Sequence, residues 1–246
     1  MTGRLVFRST ACRPDHAVVE GDRGTREEGA PAKKTAVLIS GRGSNMKALI
    51  EAGQRPDVHF EISLVLSNRP AAGGLAAAEA SGIPTAVVDH KVFASRDEFD
   101  RALHGVLCEA GIELVCLAGF MRIFTADFVE HWHDRLLNIH PSLLPAFKGL
   151  HTHEQALAAG VRVHGCTVHL VRAELDDGPI IVQGVVPVEQ DDTADNLAAR
   201  VLTLEHRCYP QALELIASGR ARIEGERVIV EGTTPLVTWL DLKFQN

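Results

Sequence analysis

Short apolar runs alternate with longer segments of helical character along the first half of the chain, from Thr35 onwards. The runs are continuous and rich in Val, Ile and Leu, as strands of a parallel sheet are when both faces are covered. They comprise Thr35–Ser40, Ile62–Ser67, Thr85–Val88 and Leu114–Ala118. The segments between them are predicted helices and comprise Ser44–Ala52, Gly73–Ala80 and Ser95–Ala110. This alternation predicts an α/β fold with a doubly wound, mostly parallel sheet.

The second half of the chain has a different organisation. Its predicted strands are Leu136–Ile139, Gly165–Val171 and Ile180–Val188, and its predicted short helix is His153–Ala159. Pro187 indicates a sheet edge or a strand end, because proline lacks the N–H that a strand ladder needs. A long helix is predicted from about Thr193 to Ala217, and the pair Ala221–Glu224 and Arg227–Val230 predicts a small hairpin.

Local signals mark the ends of two of these helices. Ser95 is followed three residues later by Glu98, which is the capping-box spacing. Asp192 or Thr193 is the predicted N-cap of the long helix, and Gly219 lies just beyond its end.

The N-terminal residues 1–34 have no hydrophobic periodicity and mix Arg, Glu, Gly and Pro, which predicts a disordered extension. A start codon placed too far upstream and a dispensable tail are the alternatives. A targeting segment is disfavoured because its arginines are balanced by acidic residues. Residues 35–246 are expected to form a single domain, for which 46% hydrophobic residues supply ample core material.

Charge and cysteine content narrow the function classes. The chain has 25 Lys and Arg against 32 Asp and Glu, so its surface is not built to bind nucleic acid. The five cysteines form no C-x-x-C pair and are expected to be reduced thiols. No apolar run approaches the roughly 20 residues that span a bilayer. These features predict a cytoplasmic protein with no membrane partner.

A glycine-rich loop, Gly41–Asn45, joins the first predicted strand to the first predicted helix. Backbone N–H groups at a helix N-terminus form an anion site. Met46 stands where a dinucleotide-binding loop needs its third glycine, so a sugar phosphate fits better than NAD. A tight turn with no ligand explains the loop equally well.

Polar side chains also gather near the middle of the chain. Asn138 and His140 lie at alternate positions of a predicted strand and therefore point to the same side. Asp176 lies in a turn-forming stretch, from which a loop can present a carboxylate. An imidazole beside a carboxylate is favoured in its charged form. With 12 histidines in the chain, a histidine that only hydrogen-bonds the backbone is the alternative.

Five stretches resemble, in order and spacing, those of the phosphoribosylglycinamide formyltransferase family. They are Ser40–Asn45, Leu117–Ile123, Leu136–Pro145, Gly149–His153 and Leu175–Ile180. The third is shared by the wider formyltransferase superfamily, whereas the first and fourth are specific to the glycinamide ribonucleotide enzyme. The resemblance covers Thr35 to the C-terminus and implies a Rossmann-like formyltransferase fold.

The activity that the resemblance implies is transfer of the formyl group of 10-formyltetrahydrofolate to the amine of glycinamide ribonucleotide, in de novo purine biosynthesis. The implied catalytic residues are Asn138, His140 and Asp176. The implied acceptor-binding residues are Gly43, Ser44, Asn45 and Glu205. The implied folate-binding residues are Arg96, Met121, Arg122, Ile123, Phe124, Asn138, Arg172, Ala173, Glu174, Leu175 and Asp176. The sequence departs from the family pattern at Asp177, where glycine is more familiar.

Formyl transfer to an amine passes through a tetrahedral intermediate whose oxygen becomes negative. The Asn138 amide and a His140 imidazolium are suited to stabilise it, and the imidazolium is suited to protonate the departing folate nitrogen. No metal is required. His151, His153 and His169 do not form a recognised metal-ligand spacing, so hydrogen bonding or positioning is expected for them.

Three other functions remain to be distinguished. Methionyl-tRNA formyltransferase would need a further C-terminal domain and a basic surface. Formyltetrahydrofolate deformylase would carry an N-terminal regulatory domain. A non-catalytic sugar-phosphate sensor would leave the Asn138, His140 and Asp176 trio without a purpose. The oligomeric state, a homodimer included, is left open by the sequence.

Overall fold

The computed structural model describes residues 31–232 and the backbone of 237–239. The strands are β1 (Lys33–Ile39), β2 (Phe60–Ser67), β3 (Thr85–Val87), β4 (Leu114–Leu117), β5 (Leu136–His140), β6 (Val163–Leu170), β7 (Ile180–Pro187), β8 (Ala221–Glu224), β9 (Arg227–Val230) and β10 (Val237–Trp239). The helices are α1 (Ser44–Gly53), α2 (Gly73–Ala80), α3 (Arg96–Glu109), α4 (Ala126–His131), α5 (Thr152–Ala159) and α6 (Ala194–Ala217). A 3-10 turn covers His90–Val92.

Eight strands form one sheet in the order β10-β7-β6-β5-β4-β1-β2-β3. All of them run in the same direction except β6, which is antiparallel to both β5 and β7. Strands β8 and β9 form a separate hairpin that contacts α6 and β7. The predicted doubly wound, mostly parallel sheet with a long C-terminal helix and a small hairpin is therefore confirmed.

The sheet order reverses at β1, because the chain moves from β1 outwards to β3 and then returns to place β4 on the other side of β1. In open parallel sheets, ligands bind in the crevice outside the carboxyl ends of the strands at such a reversal. Glycine-rich residues 41–45 follow β1 and the segment from Gly119 follows β4, so both segments border this crevice.

Both faces of the sheet are covered by helices. On one face, buried Met46 of α1 and Tyr209 of α6 belong to a single apolar cluster with β1, β4 and β6. On the other face, Phe99 and Leu103 of α3 pack with Trp132, which follows α4. Covering on both faces explains why the strands read as continuous apolar runs.

The capping predictions are confirmed, with one choice settled. Ser95 Oγ accepts a hydrogen bond from the Glu98 N–H at 3.2 Å and starts α3. Thr193, rather than Asp192, caps α6, since Thr193 Oγ1 accepts from the Asn196 N–H at 3.2 Å. Asp192 instead pairs with Arg200 at 2.7 Å.

The start of the folded region differs from the sequence-based expectation. Strand β1 begins at Lys33, whose N–H donates to the His59 carbonyl at 2.8 Å, so residues 33 and 34 belong to the sheet and not to the extension. The strand start was missed because its first two residues are lysines, which do not belong to an apolar run. The expected disorder of residues 1–30 lies outside the described residues. Pro187 is the last residue of β7, which agrees with a strand end.

Helix α4 and strand β10 were not predicted from the sequence. Helix α4 has only 6 residues, too few to show a helical period, and it begins because Thr125 Oγ1 accepts from the Phe128 N–H at 3.3 Å. Strand β10 pairs with β7 along Gln183, Gly184 and Val185. In the described part of the chain, no helix combines the length and apolarity needed to cross a membrane.

Candidate active site

The loop between β1 and α1, which the sequence predicts to bind an anion, forms a tight turn against α2. Gly43 adopts a left-handed conformation with φ of 73° immediately before α1, which glycine adopts without a steric penalty. The N-terminus of α2 packs tightly against the loop, where the Gly74 N–H donates to the Gly41 carbonyl at 3.0 Å. A side chain at Gly74 would collide with Ile39. Ser44 opens α1 and is half-buried.

Asn45, in the first turn of α1, contacts Glu205, near the middle of α6. The Asn45 amide Nδ2 donates to Glu205 Oε2 at 2.6 Å, although the two residues are 160 positions apart. Asn45 Oδ1 is buried and has no hydrogen-bond partner among the described residues. A buried polar atom without a partner is costly, so it marks a position that a ligand donor would satisfy.

Burial raises the pKa of the Glu205 carboxyl, and the hydrogen bond from Asn45 acts in the opposite direction. Tyr209, one turn further along α6, fixes the position of Glu205. The Tyr209 hydroxyl lies 3.0 Å from the Leu117 carbonyl and 3.1 Å from the Leu137 carbonyl. These contacts tie α6 to β4 and β5. The structure thus brings together the predicted acceptor-binding residues Asn45 and Glu205.

The predicted trio comes together at the end of β5. His140 Nδ1 lies 3.5 Å from Asp176 Oδ2, and the two side chains are 7% and 8% exposed. The other ring nitrogen, Nε2, lies 3.0 Å from the Phe147 carbonyl oxygen. Both ring nitrogens therefore face hydrogen-bond acceptors, which fixes the orientation of the ring. Asp176 Oδ2 also accepts from the Gly149 N–H at 2.9 Å.

His169 orients the third member of the trio. It lies opposite Asn138 in the antiparallel register of β5 and β6, and its Nε2 is 3.2 Å from Asn138 Nδ2. Its Nδ1 is 2.9 Å from the Leu170 carbonyl oxygen, to which it donates. Burial lowers the pKa of His169, so the ring is neutral and its Nε2 accepts from the amide. One amide N–H of Asn138 is thereby fixed, and the other remains for a ligand.

The residues after β4 expose two large apolar side chains. Met121 and Ile123 are 59% and 60% exposed, and both belong to the predicted folate-binding segment Met121–Phe124. The Met121 N–H donates to Ser40 Oγ at 2.8 Å, which fixes the start of the segment. The Phe124 ring is buried and stacks on Phe128 with centroids 4.3 Å apart. A flat aromatic ligand can pack against the exposed side chains.

Arginines of the predicted folate site differ in their surroundings. The Arg172 side chain is 11% exposed and pairs with Asp134 at 2.7 Å, so it holds the loop in place within the protein. Arg122 lies over the Phe99 ring at 5.6 Å. Arg96 is exposed at the first residue of α3, where it is free to meet an anionic group. Residues Ala173–Leu175 are exposed on the loop before Asp176.

The remaining histidines near the site do not form a metal centre. Within residues 31–232, no group of three or more His, Cys, Asp or Glu side chains lies close enough to hold a metal ion. The His153 and His164 rings meet edge to face at 5.2 Å. Burial, followed by the nearby His153, lowers the pKa of His164 to about 4, which keeps that ring neutral. His151 is exposed and contacts Glu154 at 3.5 Å.

An oriented amide and an imidazole facing a carboxylate lie on and beside β5 of a doubly wound sheet, an arrangement typical of α/β group-transfer enzymes. The family model described as "Formyl transferase" matches residues 33–213. A phosphoribosylglycinamide formyltransferase from Escherichia coli (strain K12) is 44% identical over 196 residues, which is 80% of this chain and 92% of that protein. The chain belongs to the formyl transferase family, among the phosphoribosylglycinamide formyltransferases, and the resemblance read from its motifs is confirmed.

Two further comparisons agree with this placement. The trifunctional purine biosynthetic protein adenosine-3 of Homo sapiens is 52% identical over 190 residues, covering 77% of this chain and 19% of that protein. The chain therefore spans about a fifth of that relative's length. A crystal structure of phosphoribosylglycinamide formyltransferase from Anaplasma phagocytophilum superposes with a TM-score of 0.78 at 46% identity, covering 84% of this chain and 97% of that one.

Proposed function

We propose that the protein transfers the formyl group of 10-formyltetrahydrofolate to the amine of glycinamide ribonucleotide, in de novo purine biosynthesis. The observation that carries this proposal is the convergence at one sheet edge of Asn138, His140 and Asp176 with the Asn45 and Glu205 pair. A group transfer requires the donor and the acceptor to be held beside the residues that move the proton. Here these residues are His140 and Asp176, the acid pair.

In the proposed reaction, the acceptor amine attacks the formyl carbon and a new carbon–nitrogen bond forms. The Asn138 amide donates a hydrogen bond to the oxygen, which becomes negative in the tetrahedral intermediate. His140 Nε2 donates to the same oxygen once its N–H is released from the Phe147 carbonyl. The bond from that carbon to the folate nitrogen then breaks, and His140 supplies a proton to the leaving nitrogen, directly or through water. Asp176 keeps His140 charged and oriented. The surplus proton on the attacking nitrogen passes to His140, directly or through water, and restores the imidazolium.

Each substrate is assigned to one side of the edge. Backbone N–H groups of Gly43, Ser44 and Asn45 are proposed to bind the acceptor's phosphate at the start of α1, and Glu205 its polar groups. The pterin is proposed to lie between Met121–Phe124 and the loop Arg172–Asp176, with Arg96 near the anionic end of the folate. We also propose that the reaction takes place in the cytoplasm and needs neither a metal nor a nucleic-acid partner.

The proposal is tested by following folate absorbance with the full-length chain and three acceptors in parallel. Turnover is expected with glycinamide ribonucleotide and not with methionyl-tRNA or with water alone. Formation of tetrahydrofolate without any acceptor would indicate a deformylase. Tight binding of both ligands without product would indicate a sensor. Either result would overturn the proposal.

Replacing Glu205 with glutamine is expected to raise the KM for the acceptor and, at the same time, the melting temperature near neutral pH. A carboxyl whose pKa is raised by folding stabilises the protein below its unfolded value of about 4.3, and this contribution is lost as the pH rises. Glutamine retains an oxygen that accepts from Asn45 but carries no buried charge.

Calorimetry at two pH values checks this expectation. The melting temperature of the Glu205→Gln variant is expected to exceed that of the wild type at neutral pH, and the difference is expected to shrink at acid pH. The KM for 10-formyltetrahydrofolate is expected to stay close to the wild-type value, because Glu205 lies on the acceptor side. A lower melting temperature at neutral pH would show that the buried charge is stabilising.

A further inference from the structure

The segment Phe147–Gly149 touches both members of the proposed acid pair. The Phe147 carbonyl faces His140 Nε2 at 3.0 Å, and the Gly149 N–H donates to Asp176 Oδ2 at 2.9 Å. Between these contacts, Lys148 Nζ lies 2.5 Å from Asp177 Oδ1. Two adjacent residues of one loop are thus attached to two adjacent residues of the other, and His140 lies beside the junction.

The loop that carries Asp176 needs such support. Asp176 adopts a left-handed backbone conformation with φ of 50°, and Phe147 opposite it has φ of 56°. Residues other than glycine are uncommon there, although aspartate is found more often than most, and contacts with the surroundings help to hold the conformation. The next residue, Asp177, stands where glycine is more familiar in the family, and it adds a carboxylate that glycine lacks.

We propose that Lys148 and Asp177 are positioning residues that hold the catalytic carboxylate against His140. Their ion pair is a second contact between the two loops, beside the hydrogen bond from Gly149 to Asp176. A glycine at position 177 could not form this ion pair. The inference rests on the proposed function, since it concerns the same acid pair. Neither side chain has a catalytic role in it.

The size of the effect is limited by solvent. The Lys148 and Asp177 side chains are 37% and 55% exposed, so water and salt screen their attraction. Loss of the pair is therefore expected to lower kcat by about 2- to 5-fold and to leave the KM values nearly unchanged. The wild-type rate is expected to fall towards the rate of the variants as the salt concentration rises, whereas the variants respond less.

A double-mutant cycle tests the pair. Lys148→Met and Asp177→Asn each lower kcat about 2- to 5-fold, and the double variant is expected to be no slower than the worse single variant. Lys148→Arg is expected to restore most of the rate. Lys33→Met, which breaks the similarly exposed ion pair between Lys33 and Glu113 at the amino ends of β1 and β4, serves as the matched control with wild-type kcat. Fully additive effects would overturn the proposal.

Hydrogen exchange gives a readout that does not depend on turnover. The Gly149 amide is expected to exchange faster in Lys148→Met and in Asp177→Asn, because its acceptor Asp176 is held less firmly. Unchanged exchange at Gly149 in both variants would overturn the positioning role. If the Gly149 amide exchanges faster in both variants than in the wild type but no form of the enzyme transfers a formyl group, the proposed function fails. The contact between the two loops would still be supported.

Discussion

Replacing Asp176 with asparagine is expected to lower the turnover rate by roughly 10²–10⁴-fold, the range for loss of a positioned general acid. The carboxylate lies 3.5 Å from His140 Nδ1 and both side chains are almost fully buried, so asparagine removes the charged group that faces the imidazole during proton transfer. Affinities for both substrates are expected to change far less, because the interaction strengthens mainly in the transition state. Steady-state and single-turnover rates, with binding measured separately, check this.

Asp177→Asn is the comparison variant for this result. It changes the neighbouring carboxylate, which faces Lys148 and not His140, and it is expected to cost only the few-fold that an exposed ion pair contributes. Asp177→Gly, which restores the more familiar residue, is expected to be tolerated as well as Asp177→Asn. If Asp177→Asn abolishes turnover and Asp176→Asn does not, the catalytic carboxylate has been wrongly chosen.

The elements that sequence analysis predicted well are those with strong local signals. Strand β4 is apolar without interruption, and β2 carries the apolar run Leu64–Leu66, because both sheet faces are covered. Helix α6 has a capping threonine, a long apolar stripe and Gly219 just past its end. Elements with weak local signals were missed or shortened. Strand β1 starts with two lysines, and α4 depends on packing around Trp132.

Sequence analysis named the residues of the candidate site but not the contacts between them. Alternation along β5 places Asn138 and His140 on one side, and a family motif points to Asp176. The bond from Asn45 to Glu205 joins residues 160 positions apart, and no local pattern encodes it. His169 could have been found from the register of β5 with β6, but a register is set by tertiary pairing that a single sequence does not reveal. The contact between Lys148 and Asp177 also depends on tertiary structure, so the sequence alone did not predict it.

Truncating the Asn138 side chain to alanine is expected to lower kcat by roughly 10²–10³-fold, the cost of removing one donor to a developing oxyanion. His169 fixes that donor, since its Nε2 accepts from Asn138 Nδ2 at 3.2 Å and its own N–H is committed to the Leu170 carbonyl. His169→Leu is expected to cost less than Asn138→Ala, because the amide remains present but is free to rotate.

The two residues are expected to act as a unit, which a double variant can test. With Asn138 already replaced by alanine, there is no amide for His169 to orient, so His169→Leu should lower kcat little further. Single-turnover rates for the four enzyme forms give the coupling, and the melting temperatures show whether each variant still folds. A further large loss of kcat from His169→Leu in the Asn138→Ala background would mean that His169 acts on the substrates by a route that does not pass through Asn138.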